Sequence, residues 1–164
     1  MKISLEEIQR VANQGPFYPD WDSLATYQVP HWFKRSKFGI FIHWGLYSLP
    51  AFGSEWYSRN MYIQGTAEFD HHIKTYGSHK DFGYKDFIPL STADNFHADE
   101  WLRLFKEAGA QYMFPVAEHH DGFQLHASQL CPFNSVEKGP KRDILGDLSQ
   151  AAQRKQVHFC TYSH

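Results

Sequence analysis

Tyr112-Met113-Phe114-Pro115-Val116-Ala117 runs directly into Glu118-His119-His120-Asp121-Gly122-Phe123. The first six residues form an apolar run of strand length. The next four carry two imidazoles and two carboxylates. Burying that many polar groups side by side is costly unless each has a partner. At the C-terminal end of a strand, such a cluster handles a ligand more often than it fills a core.

Two other segments read the same way. Phe38-Gly39-Ile40-Phe41-Ile42 lacks polar alternation, which suits a strand covered on both faces; it ends in His43-Trp44-Gly45. Val157-His158-Phe159-Cys160-Thr161-Tyr162 is a third strand, followed by Ser163-His164. An amphipathic helix with Trp101, Leu104, Phe105 and Ala108 on one face precedes the second strand, and Gly109 lies near its end. Asp143 is positioned to cap another helix, buried through Ile144, Leu148, Ala151 and Ala152.

Strands separated by helices predict parallel pairing with right-handed crossovers. Polar signatures at successive C-terminal strand ends are the layout of a (β/α)8 TIM barrel. A whole barrel needs eight strands and about 250 residues; this chain has 164 residues and three strands. The expected fold class is therefore α/β, the N-terminal portion (about three βα units) of a (β/α)8 barrel. Residues 1–164 would form an incomplete domain whose remaining strands are absent. An open parallel sheet leaves an edge and an apolar face uncovered, which predicts a poorly soluble or oligomeric chain.

Residues 1–37 read as an N-terminal helical extension. Ser4-Leu5-Glu6-Glu7 is a capping box, with Leu5, Ile8, Val11 and Ala12 at helical spacing. A Pro/Gly break from Gly15 to Pro19 ends that helix, and Pro30 opens a short one from His31 to Ser36. Residues 43–90 form an irregular, aromatic-rich excursion. Short helices are expected from Ser54 to Tyr62 and from Ala67 to Tyr76, the latter ended by Gly77; Gly83 to Phe87 reads as loop.

Composition narrows the function. The net charge is −2 and no long basic run occurs, so the footprint of a nucleic-acid binder is lacking. No 18-residue apolar stretch indicates a membrane span. The first sixteen residues lack the apolar core of a signal peptide, which favours a cytoplasmic protein or one whose leader has been removed. Cys131 and Cys160 sit in no CxxC pair. Aromatic residues make up 17% of the chain, a surplus that suits flat, partly apolar ligands such as sugars.

The motifs together resemble a known family. Lys37-Phe38-Gly39-Ile40-Phe41-Ile42-His43-Trp44-Gly45 resembles the first strand of the retaining α-L-fucosidases, glycoside hydrolase family 29. Glu55-Trp56-Tyr57-Ser58-Arg59-Asn60-Met61-Tyr62 is similar to the segment after that strand. Tyr84-Lys85-Asp86-Phe87, the helix around Trp101, His119-His120-Asp121-Gly122-Phe123 and Gly139-Pro140-Lys141-Arg142-Asp143 follow in the family's order. The likeness runs from about residue 30 to the end. Departures are Glu118, where many relatives have Lys; His126, where many have an aromatic; and His97, where an acidic helix cap is common.

The resemblance implies a (β/α)8 catalytic domain followed by a β-sandwich, hydrolysis of terminal α-L-fucosyl linkages with retention, and no metal or organic cofactor. Retention uses two carboxyl groups roughly 5–5.5 Å apart. In the family the nucleophile is an Asp on a later strand, and the principal acid/base also usually lies later, so neither is expected in this chain. The substrate-binding residues implied are His43, Trp44, Glu55, Trp56, His119, His120 and Tyr162, with Glu55 also supporting proton transfer and Trp56 flanking the 6-methyl group. The expected partner is a fucosylated glycan or small fucoside.

Each assignment has a plainer competitor. His43 could bond a backbone carbonyl, Trp56 could be core, Glu55 a solvated helix residue and Tyr162 a buried tyrosine bonded to a neighbour. Adjacent His119 and His120 point to opposite sides of an extended chain unless it bends there. Asp121 before Gly122 suits a turn. His71, His72 and His79 are expected to face solvent or pack locally. Two rival functions remain: a non-catalytic fucose-binding relative, and a metal-dependent hydrolase using Asp70-His71-His72 or His119-His120-Asp121. The ligand types fit a metal, but the spacing matches no HExxH or HxH pattern.

Overall fold

The structure, a computed structural model, describes residues 4–164. The chain divides into two compact units, one ending at Lys37 and one spanning Phe38–His164.

Among its described residues the first unit holds three short helices, α1 (Leu5–Ala12), α2 (Trp21–Ala25) and α3 (His31–Arg35). Ser4 Oγ accepts the Glu7 N–H and caps α1; Asp20 Oδ1 accepts the Ser23 N–H and caps α2. Pro30 is the residue before α3 rather than its first member. Sequence periodicity did not mark α2, because five residues span little more than one turn.

The second unit is α/β. Strand β1 (Gly39–Ile42) pairs in parallel with β2 (Tyr112–Glu118), Phe41 standing opposite Phe114. On its other side β2 pairs in parallel with β3 (His158–Phe159) and then β4 (Tyr162–Ser163). The segment expected as one third strand is thus two short ones, and Pro115 explains the break. The His158 N–H donates to the Gln111 carbonyl and the Cys160 N–H to the Met113 carbonyl. By alternation Pro115 turns its backbone the same way, but it has no N–H to give. Its carbonyl accepts the Thr161 hydroxyl instead, at 2.8 Å. Pairing resumes at Val116 and Tyr162.

One face of the sheet is covered by helices. The crossover from β1 carries α4 (Tyr57–Asn60), α5 (Ala67–Tyr76), a 3-10 segment Tyr84–Leu90 and α6 (Ala98–Glu107); α7 (Ile144–Lys155) follows β2. Helices α6 and α7 pack together, joined at the surface by Arg154 and Asp99. Leu102, Met113, Ile144, Leu148, Ala151 and Ala152 are buried in this layer. Thr66 caps α5, and Gly77, at φ +87, ends it. Asp143 caps α7 through the Gly146 N–H, whereas His97 makes no side-chain cap bond to α6.

The opposite face is open. Phe41 is 56% exposed, so β1 is not covered on both faces as its composition suggested. Phe41, Phe114 and Tyr162 stack there, with centroids 5.0 to 5.6 Å apart.

Two expectations follow. A Cβ at Gly39 would lie 2.3 Å from the Tyr112 ring. Gly39→Ala should therefore cost about 1–3 kcal/mol by overpacking, read as a lower urea midpoint. The open aromatic face should make the chain associate with rising concentration in sedimentation velocity, and Phe41→Ser should weaken that association.

Candidate functional site

The open face leads to a cluster of side chains at the C-terminal ends of the strands. Alternation along β1 sends Phe41 and His43 to the open face, and Ile42 and Trp44 to the helix face. His43 and Tyr162 meet there, with the Tyr162 hydroxyl 2.7 Å from His43 Nε2. The Trp44 ring packs against Phe96 and Trp101 instead, at 5.4 and 5.6 Å between centroids. Trp44 was expected to line the same pocket as His43, but its ring is not in this cluster. The period of two explains why adjacent residues diverge.

His119 reaches the open face because β2 carries an extra residue. Val116 pairs with Tyr162 and Glu118 with Ser163, so two steps on β2 match one on β4. This bulge reverses the alternation after Ala117. Glu118 is turned to the Ser163 side, where its Oε1 accepts the Ser163 hydroxyl at 2.7 Å. That bond, with help from Gln124 and the nearby His126, holds the Glu118 carboxyl below its ordinary value. His119 is turned to the side of His164, and their rings stack at 4.6 Å.

The chain then bends, as joint use of both histidines requires. The Gly122 N–H donates to the His119 carbonyl at 2.8 Å, with Gly122 at φ +69. His120 lies 4.8 Å from His119, ring to ring, and tilts over Trp56 at 4.4 Å. Asp121 is fixed in the turn: Oδ1 accepts the Phe123 N–H and Oδ2 accepts the Tyr84 hydroxyl at 2.7 Å. Burial drives the Asp121 carboxyl above its ordinary value, partly offset by those bonds. Burial first, and then Asp121, push the Tyr84 phenol well above its ordinary range.

Glu55 and Trp56 enter from the turn before α4, where Ser54 Oγ accepts the Trp56 N–H. One donor atom from each of His43, Glu55 and His119 lies within 4.8 Å of the others. Three segments distant in sequence thus converge on one point. His119, His120 and His164 form a second such triad, so ligand groups compatible with a metal are assembled by the fold without any local spacing motif. Desolvation holds the His119 imidazole below its ordinary value, and His164, His120 and His43 push the same way, with Glu55 opposing.

Three contributors carried little signal. Tyr47 packs edge-on against His119 at 5.5 Å, and nothing in its sequence context singled it out. His164 follows Tyr162 by two residues, so alternation from a known site residue would have found it. Tyr84 lay inside a family motif but had no role of its own. Elsewhere, His72 is fully buried, with the Tyr57 hydroxyl 3.1 Å from Nδ1 and the Phe82 carbonyl 2.8 Å from Nε2. His71 stacks on Phe52 and His79 bonds the Met61 carbonyl, so all three pack locally.

A family model described as Alpha-L-fucosidase matches residues 4–164. Human tissue alpha-L-fucosidase is 37% identical over 158 residues, covering 96% of this chain and 34% of that protein. Human plasma alpha-L-fucosidase is 40% identical over 148 residues, covering 89% and 32%. The crystal structure of Thermotoga maritima alpha-fucosidase in complex with fucose superposes with TM-score 0.84 at 42% identity, covering 90% of this chain and 37% of that one. This chain therefore spans about a third of the length of these relatives.

Two buried imidazoles, one in the site and one outside it, make stability depend on pH with a definite sign. His72 and His119 both titrate below their ordinary 6.5 when folded. Their contribution is fully present above that value and is lost as pH falls through the folded values, because the unfolded chain binds the protons first. Asp121, raised from 3.8, acts oppositely: its contribution is present below 3.8 and lost as pH rises through its folded value. The unfolding free energy should fall as the pH is lowered through and below 6.5, and His119→Gln should make that slope shallower in urea titrations.

Proposed function

This chain belongs to the alpha-L-fucosidase family, and we propose that it supplies part of the fucose pocket in the hydrolysis of terminal α-L-fucosyl linkages. The convergence of His43, Glu55 and His119 on one point at the strand ends carries this reading. The parallel β–α order and the strand-end position of the cluster support its being the N-terminal portion of a (β/α)8 barrel. In that reading, residues up to Lys37 are an N-terminal extension and the Phe41–Phe114–Tyr162 face lines the barrel interior.

His43, His119, His120 and Tyr162 would hydrogen-bond the sugar hydroxyls, each having a polar atom on or beside the open face. Trp56, at 40% exposure and with His120 tilted over its ring, offers an apolar wall for the 6-methyl group. Trp44 would act behind the pocket, through the packing that fixes His43. Glu55 is the carboxylate beside His43 and His119; Asp121 is engaged by Tyr84 and the turn.

A retaining mechanism would need a nucleophilic carboxylate and an acid/base carboxyl group roughly 5–5.5 Å apart. The nucleophile's oxygen attacks C1 while the acid protonates the departing glycosidic oxygen. Water then attacks C1, giving its proton to the conjugate base and releasing the nucleophilic carboxylate. We assign Glu55 a supporting part in proton transfer. The nucleophile is expected outside these 164 residues.

The chain should therefore bind L-fucose without turning over an aryl α-L-fucoside faster than its His43→Ala variant. His43→Ala should weaken fucose binding at least about tenfold, or roughly 1.4 kcal/mol, by calorimetry. Turnover well above the variant's would show that both carboxyl groups are already present. Absence of fucose binding in a folded sample would remove the pocket assignment.

A further inference from the structure

Two polar atoms beside the pocket lack partners among the described residues although they are sealed from solvent: the Tyr47 hydroxyl and His119 Nδ1. Their residues are 6% and 4% exposed. Their rings meet edge-on at 5.5 Å between centroids and 65° between planes. The approach is built in. A Cβ on residue 45 would lie 2.8 Å from the Tyr47 ring, so Gly45 makes room for that ring. A buried donor or acceptor left unpaired is expensive, and a donor and an acceptor carried on adjoining rings are each other's readiest remedy.

We propose that Tyr47 is a positioning residue: its hydroxyl donates to His119 Nδ1, through one buried water or after a small rotation of the rings, and so fixes the imidazole with its proton on Nε2. A neutral imidazole has one donor nitrogen and one acceptor. Burial and the neighbouring His164, His120 and His43 favour the neutral ring. Burial first, then Asp121, Tyr162 and Glu55, raise the Tyr47 phenol far above its ordinary range, so it keeps its proton and can only donate to that acceptor. Nδ1 is closed to any ligand, which leaves Nε2–H as the face His119 presents to the cluster. His119 then enters the pocket as a donor, suited to a hydroxyl or ether oxygen. Asp121 and Glu55 are the carboxylates whose charge the Tyr47 hydroxyl feels.

The use of that donor on a sugar rests on the function proposed above; the tautomer does not, so the test reads the tautomer. The chain, labelled with nitrogen-15 at histidine, is examined by long-range proton–nitrogen correlation near neutral pH, with and without Tyr47→Phe. Phe keeps the ring and removes only the hydroxyl. Wild-type His119 should show the Nε2–H pattern. In Tyr47→Phe its two nitrogens should move toward the averaged values of mixed tautomers, with His72 unchanged as an internal control. The His119 pKa should rise by about half a unit, since a donor at Nδ1 opposes protonation there. A His119 signal unmoved by Tyr47→Phe, or an Nδ1–H pattern in the wild type, would overturn the proposal. If the signals show that Tyr47→Phe is not folded, Gly45→Ala, which crowds the same ring, should produce the same His119 shift; no shift there would also overturn it.

Discussion

The path of β2 past Pro115 and Ala117 is the constraint on which the site depends. Pro115 removes one ladder hydrogen bond and divides the third ribbon into β3 and β4. Two residues later, the bulge reverses which side chains face the open side. Without that extra residue, Glu118 would take the place of His119 beside His43, and His119 would be sent toward the helix layer. A single residue of register thus decides whether the cluster presents an imidazole or a carboxylate. The pairs Glu118–Ser163 and His119–His164 hold the shifted register from both faces of the sheet.

The polar groups brought together in this way divide into two kinds. Asp121 is committed to structure, accepting from Tyr84 and the Phe123 N–H in the turn that aims His120. His43, Glu55 and His119 converge on one point, with one ligand atom from each within 4.8 Å of the others. Desolvation keeps His119 from protonating readily, so the imidazole can bond without carrying a buried charge. The helix face completes the support: Trp44, Phe96 and Trp101 pack behind β1 and hold the strand end that delivers His43.

Much of the fold is legible along the chain. The apolar run before Glu118, the helical spacing around Trp101 and the Asp143 cap mark β2, α6 and α7, because each signal is local. Helix α2 and the 3-10 segment Tyr84–Leu90 are too short to leave a clear period. The open face of β1 is invisible as well, since an apolar strand looks the same whether or not a second layer covers it. His43, Glu55, Trp56, His119, His120 and Tyr162 were singled out by motif, and the structure gathers them. Trp44 was named with them although alternation alone points its ring away from His43.

Sequence alone determined which chemical groups end each strand, and that the strands run parallel, because helices of crossover length separate them. It also carried the family, through six ordered motifs. Only tertiary structure decided which of those groups meet. That choice turns on an unpaired residue in β2, on the ring space left by Gly45, and on Tyr47 and His164, whose importance lies entirely in what they touch. A register shift has no signature in composition or period, since it is a relation between two strands rather than a property of either.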